Sequence, residues 1–196
     1  FQGNTPLHEA ASEGHFKICQ HIIENINDKN PGISQGNTPL HQGAFSGNLE
    51  ICQYMINILD DKNPKNDVGI TPLHVAAENG HLEICRIIIE NVDNKNPEMN
   101  NGTTPLHIAA KNGCFEIFTL ICENVKDKNP KDNRGITPYY IATFHGYLEI
   151  CKYIMKKMEE KVSPTNESGV YIRNKKLDIS PKMDNGRTPL HLGKDY

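Results

Sequence analysis

Apolar and polar residues are spaced along this chain in two helical patterns that follow one another closely. In the stretch 104–125, a first helix is predicted to begin at Thr104, whose hydroxyl can accept from a free backbone N–H, and at Pro105, which has no N–H to leave unpaired. That helix should end at Gly113, because glycine readily adopts the left-handed conformation found just past helix ends. A second, amphipathic helix is predicted to begin near Phe115, and its core face consists of Phe115, Ile117, Phe118, Ile121, Cys122 and Val125.

The same two patterns recur with a fixed period. The tetrapeptide Thr-Pro-Leu-His begins at Thr5, Thr38, Thr71, Thr104 and Thr188, and a Thr-Pro-Tyr-Tyr variant begins at Thr137. The first five of these six starts are 33 residues apart, whereas the last interval is 51 residues. A fixed period of this length is typical of repeat architectures, in which each unit buries its apolar face only against its neighbours.

A 33-residue unit of turn, helix, turn and helix, in which TPLH opens the first helix, closely resembles the ankyrin repeat. The resemblance implies an all-α solenoid of stacked helix-turn-helix units with projecting turn fingers. We expect a single ankyrin-repeat domain over 1–196, with repeats at about 3–35, 36–68, 69–101, 102–134 and 135–161. An 18-residue insertion at 162–179 and a partial sixth repeat at 180–196 follow.

A histidine ends each TPLH, and such a residue can be a general base, a metal ligand or a structural element. The ankyrin resemblance implies that these imidazoles form hydrogen bonds in the layer of turns and helix starts, tying adjacent repeats together. A catalytic base needs one particular set of partners, which five equivalent copies cannot all have. We therefore expect no catalysis, no cofactor and no metal site. The histidines concerned are His8, His41, His74, His107 and His191.

Four of the six cysteines share one position of the repeat, which Phe118 fills in the fourth repeat, so this position favours a buried apolar side chain. Equivalent residues of stacked helices lie roughly 8 to 10 Å apart, which is too far for the roughly 4.4 to 6.8 Å between the Cα atoms of a disulfide. We predict six free thiols, which suit a reducing compartment and hence a cytoplasmic or nuclear protein. The four cysteines are Cys19, Cys52, Cys85 and Cys151.

Net charge narrows the class of partner. A formal net charge of -3 and a sequence pI near 6.3 favour neither nucleic acid nor an anionic membrane, since either would need a basic face. No stretch approaches the roughly 18 consecutive apolar residues of a membrane span. We expect the partner to be another protein or peptide segment, with no nucleic acid binding and no membrane insertion, and we expect a monomer.

Recognition is expected at the repeat positions whose residues vary. The ankyrin resemblance implies that these are the turn tips before each threonine and the solvent side of each first helix, which line a concave groove. Two structural alternatives are open: Val68, Ile70 and Ile136 pack turn against turn, and Phe45 and Phe144 cover the helix pair. Carried over by register, the predicted partner-binding residues are Phe45, Ser46, Val68, Ile70, Glu78, Asn79, Thr103, Lys111, Asn112, Arg134, Ile136, Phe144 and His145.

The insertion at 162–179 is the one departure from the period. Its candidate binding residues are Tyr171, Arg173, Lys175 and Lys176. It is either a partner-binding finger or an insertion that has no role of its own. The second alternative is open because lengthening a surface turn costs little entropy.

These features together indicate a protein-interaction module or scaffold that binds a partner segment in the groove. A standard interface takes roughly 800 Å² from each partner, which five stacked repeats can supply. The alternative is an ankyrin-repeat portion of a larger intracellular protein, such as a channel tail or an enzyme's targeting region, that docks within its own chain.

Overall fold

The structure is a computed structural model that describes residues 3–33 and 35–160. Within those ranges it contains ten helices and no strand, which confirms the predicted all-α class. The helices form five consecutive pairs. They are α1 (Pro6–Ser12), α2 (Phe16–Asn25), α3 (Pro39–Ser46), α4 (Leu49–Ile58), α5 (Pro72–Glu78), α6 (Leu82–Asn91), α7 (Pro105–Asn112), α8 (Phe115–Glu123), α9 (Pro138–His145) and α10 (Leu148–Glu160).

Local sequence signals set the helix boundaries as predicted. The first helix of each pair begins at a proline that follows an extended threonine, and α7 ends against Gly113, whose φ is 68°. Helix α8 begins at Phe115 but ends at Glu123, so the predicted core residue Val125 lies just beyond the helix, where it is half-buried.

The pairs stack in a row. First helices pack on neighbouring first helices, and second helices pack on neighbouring second helices, so each repeat mainly contacts the repeats on either side of it. Alanine allows the first helices to approach closely because it has the smallest side chain that still favours a helix. The buried alanines are Ala10, Ala11, Ala44, Ala76, Ala77, Ala109, Ala110 and Ala142.

The two ends of the described stack differ from its middle. Ile18 is 51% exposed, although the residues at its position in later repeats are buried. Cys151 is half-buried, so the prediction that its position is buried is wrong in the fifth repeat; Cys19, Cys52, Cys85 and Phe118 are fully buried. The physical reason is the same at both ends, since only one described repeat packs against a terminal pair.

Fingers project between the pairs, each joining a second helix to the next first helix. In the finger before α5, the backbone N–H of Asn66 donates to the Ile70 carbonyl at 2.8 Å, which closes the turn. Neighbouring fingers are also hydrogen bonded to each other: the backbone N–H of Asn100 donates to the Val68 carbonyl at 3.1 Å. Equivalent bonds join Asp67 to Gln35 and Asn133 to Asn101. The fingers therefore form a continuous ladder beside the first helices.

The insertion and the partial sixth repeat lie outside the described residues. This applies to the predicted residues Tyr171, Arg173, Lys175 and Lys176. Within the described part of the chain, no helix is both long and apolar enough to cross a membrane.

Candidate binding groove

Each TPLH histidine joins its own helix start to the next finger. In the second repeat, the backbone N–H of Thr38 donates to His41 Nδ1 at 3.1 Å, and the Thr38 hydroxyl lies 2.9 Å from the same nitrogen. The other ring nitrogen, Nε2, lies 3.1 Å from the carbonyl oxygen of Ile70 in the following finger. The same arrangement occurs at His8, His74 and His107.

These contacts determine which ring nitrogen carries the proton. Nδ1 accepts from a backbone N–H, so it is unprotonated, and the proton is on Nε2, which donates to the carbonyl. Burial lowers the pKa of His41 and of His74 to about 4, and it lowers the pKa of His8 and His107 in the same direction. The imidazoles are neutral at pH 7 and have both nitrogens engaged, so the expected structural role is confirmed for these four histidines.

The fifth repeat uses a different cap because Tyr140 replaces the histidine. There the Tyr140 amide donates to the Thr137 hydroxyl oxygen at 3.2 Å, which is an ordinary N-cap. The phenol ring is buried and contributes to the groove wall.

A second set of side chains, the asparagines of the Asn-Pro pairs, also fixes the helix starts. The Asn96 Oδ1 accepts from the backbone N–H of Leu106, ten residues later, at 3.0 Å. This bond satisfies one of the free amides in the first turn of α7. The equivalent asparagines Asn30, Asn63 and Asn129 do the same in their repeats.

The structure shows how exposed each predicted groove residue is. Ile70, Thr103 and Ile136 are half-buried, and all the others are exposed: Phe45, Ser46, Val68, Glu78, Asn79, Lys111, Asn112, Arg134, Phe144 and His145. Ile70 and Ile136 each accept a histidine hydrogen bond through the backbone carbonyl, and each lines a cleft.

Two adjoining clefts lie on the face formed by the first helices and the fingers, which we call the groove face. The C-terminal cleft has a volume of about 300 Å³ and is lined by Lys111, Arg134, Ile136, Tyr140, Ile141, Phe144 and His145. The middle cleft has a volume of about 380 Å³ and is lined by Ile70, Glu78, Met99, Asn101, Thr103, His107, Ile108, Lys111, Asp132, Arg134 and Ile141. Because Lys111, Arg134 and Ile141 line both, the two clefts form one continuous surface over the third to fifth repeats.

Part of the apolar floor of these clefts was not predicted from the sequence. Ile108 and Ile141 stand immediately after the fourth TPLH residue of their repeats, a position that was not among the predicted binding residues. Met99 was missed as well, at the start of the tight turn in its finger. The available signal was the variability of the position after the histidine, which reads Glu9, Gln42, Val75, Ile108 and Ile141 along the repeats.

Four of the six cysteines are buried. All six are free, which confirms the thiol prediction, and burial raises the pKa of Cys52 and of Cys85 to about 12. Those two thiols therefore stay protonated and behave as small apolar side chains. Among residues 3–33 and 35–160, no three His, Cys, Asp or Glu side chains are grouped so that they could hold a metal ion.

The comparison with known families agrees with this architecture. A family model described as ankyrin repeats (3 copies) matches residues 2–66, 57–132 and 73–166, which together cover most of the chain. None of the curated proteins is significantly similar to the chain. The matched ranges contain the paired helices, the fingers and the Thr-His bridges described above. On this evidence, the chain belongs to the ankyrin repeat family.

Proposed function

We propose that this chain is a protein-interaction module that holds a segment of another protein on its groove face. Ankyrin repeats are generally protein-interaction modules and typically non-catalytic. The observation that carries the proposal is the pair of adjoining clefts over the third to fifth repeats, whose apolar floor is open to solvent.

The division of labour between side chains supports the same function. The polar residues that recur along the repeats form hydrogen bonds that hold the stack together. The hydrogen bonds between Thr71 and His74, and from His74 to the next finger, are an example. The residues that differ between repeats, such as Lys111 and Phe144, point away from the core and are exposed. An aromatic side chain at an accessible cleft is a typical anchor for a partner.

The remaining elements of the proposal concern assembly and location. We propose that the module acts as a monomer inside the cell, which the six free thiols support because disulfides are rare in reducing compartments. Docking of the groove within a longer parent chain is the alternative use of the same face.

A matched pair of variants tests the proposal. Phe144 and Leu148 belong to the same repeat and are 53% and 60% exposed, but of the two only Phe144 lines one of the groove-face clefts described above. Peptides that bind the wild-type chain would be selected from a random 12-residue phage library, and their dissociation constants measured by fluorescence anisotropy.

Phe144→Ala should weaken the selected peptides by about tenfold, as expected for loss of an interface anchor, while Leu148→Ala should leave their affinity unchanged. Both variants should unfold within about 0.5 kcal/mol of wild type, because both side chains are largely exposed. Selected peptides that all tolerate Phe144→Ala, or an empty selection, would overturn the groove assignment.

A further inference from the structure

The groove face changes character along the stack. In the first five repeats, the residue after the TPLH histidine, or after its tyrosine substitute, is charged or polar in the first two and branched aliphatic in the next three. The first repeat adds Glu13 near the end of its first helix, and the fifth repeat has His145 at that position. At these positions, a partner segment that lies along the face therefore meets polar side chains at one end and mainly aliphatic ones at the other.

Two cationic side chains border the apolar end. Lys111 and Arg134 line the C-terminal cleft, whose lining includes no aspartate or glutamate. Lys111 is exposed and forms no hydrogen bond or ion pair with any described residue. Its ammonium group is therefore available to a ligand.

Arg134 is held at the cleft by its own finger. One carboxylate oxygen of Asp132 accepts from the amides of Arg134 and Ile136 at 2.9 and 2.8 Å, which closes the turn. The other oxygen accepts from Arg134 Nε and Nη2 at 3.3 and 3.1 Å. The arginine side chain remains 69% exposed, so its other N–H groups can still bind an anion from a fixed position.

The middle cleft has a different charge balance. Its lining includes the same two cations, the carboxylate of Asp132 that already pairs with Arg134, and one further carboxylate, that of Glu78. An acidic group on a ligand is therefore attracted most strongly at the C-terminal cleft and less strongly toward the third repeat, which gives the bound segment a preferred direction.

We infer that the C-terminal cleft receives a peptide segment in which a bulky apolar side chain stands beside one or more carboxylates. The apolar side chain enters between Ile136, Ile141 and Phe144, and the carboxylate binds Lys111 and the free edge of the Arg134 guanidinium. This inference rests on the proposed function and adds the chemical class of the partner. A cleft of about 300 Å³ is at the small end of ligand pockets, which suits one large side chain.

The experiment uses the same 12-residue library with the full chain and two variants of equal charge change. Lys111→Glu reverses the charge at the cleft, whereas Lys156→Glu makes the same reversal at an exposed position of α10 that lines neither cleft. Peptides selected on the wild type should be enriched in aspartate and glutamate next to leucine, isoleucine or an aromatic residue.

Affinity measurements on the strongest of these peptides then locate the charge contact. Lys111→Glu should weaken binding by about tenfold or more, and Lys156→Glu should change it less than about twofold. Replacing the acidic residues of the peptide by glutamine should weaken wild-type binding similarly, and should have little further effect on Lys111→Glu. Higher salt should reduce the difference between the two peptides.

Two results would overturn the inference while leaving the proposed function intact. One is a set of selected peptides that depend on Phe144 but contain no excess of acidic residues. The other is an equal effect of Lys111→Glu and Lys156→Glu on acidic peptides. By contrast, selected peptides that are insensitive to Phe144→Ala would count against the groove itself.

Discussion

Acidification should destabilise the repeats because it protonates the buried histidines. Burial lowers the pKa of His41 and His74 to about 4, below the value near 6.5 of an unfolded histidine. The unfolded chain therefore binds these protons more readily than the folded chain. The stabilisation that depends on neutral imidazoles is complete above about pH 6.5 and is lost as the pH falls toward 4.

The structure sets the size of this effect. A difference of roughly 2.5 pKa units corresponds to a loss of roughly 3 kcal/mol for each of the two histidines below pH 4, and to about 2 kcal/mol each at pH 5. His8 and His107 shift in the same direction. A combined loss of about 4 kcal/mol at pH 5 is a large part of the roughly 5 to 15 kcal/mol that stabilises a typical domain.

Urea unfolding followed by circular dichroism at about pH 7.5 and about pH 5 measures the loss directly. His74→Gln is the matched variant: it should be less stable than wild type at the higher pH, because it lacks the imidazole bridge, but should lose less stability on acidification. An unfolding free energy that is the same at both pH values, or a variant with the wild-type pH dependence, would refute the protonation argument.

Four substitutions test the packing of the stack by urea unfolding. Gly102→Ala should lower the free energy of unfolding by about 3 kcal/mol, and Gly80→Ala should lower it by about 1 kcal/mol. Both glycines have positive φ, which costs an alanine some strain. At Gly102 the added Cβ would also meet a backbone nitrogen of the next finger at 2.7 Å, whereas at Gly80 it would meet nothing within 4 Å. Equal losses would contradict this account of the finger contact. Gly43→Ala should stabilise by about 0.5 to 1 kcal/mol, because the other repeats carry alanine at this helical position, and a lower stability would show that the cysteine sulfur 3.1 Å from the new Cβ cannot move. Leu73→Ala should cost about 2 to 5 kcal/mol because Leu73 is fully buried, and a loss below about 1 kcal/mol would mean that its interface is not well packed.

The helices and their register could be predicted because the signals that set them are local. Threonine followed by proline starts a helix, glycine ends it, and the 33-residue period carries one assignment to every repeat. At the ends of the stack, the exposure of Ile18 and the incomplete burial of Cys151 have a non-local cause. A residue's burial depends on whether another repeat packs against it. The position of a residue within its own repeat does not show whether such a neighbour is present.

The floor of the clefts could not be derived from the period alone. Ile108 resembles a core residue of an amphipathic helix, and in the stack it is indeed nearly buried while still forming a cleft wall. The hydrogen bonds of the turns could not be predicted from the sequence either. Lys95 donates to the carbonyls of Ile89 and Val92 at 2.5 and 3.1 Å, closing the end of α6, although the sequence shows only a surface lysine in a polar turn.

We propose that recurring residues build the stack and that the differing residues of the groove face recognise the partner. Amide chemical-shift mapping with one selected peptide tests this assignment residue by residue. The shifts should concentrate in α7, α9 and the fingers that line the two clefts, with little change in the second helices. Shifts concentrated on the exposed faces of α4, α6 and α8 would contradict it.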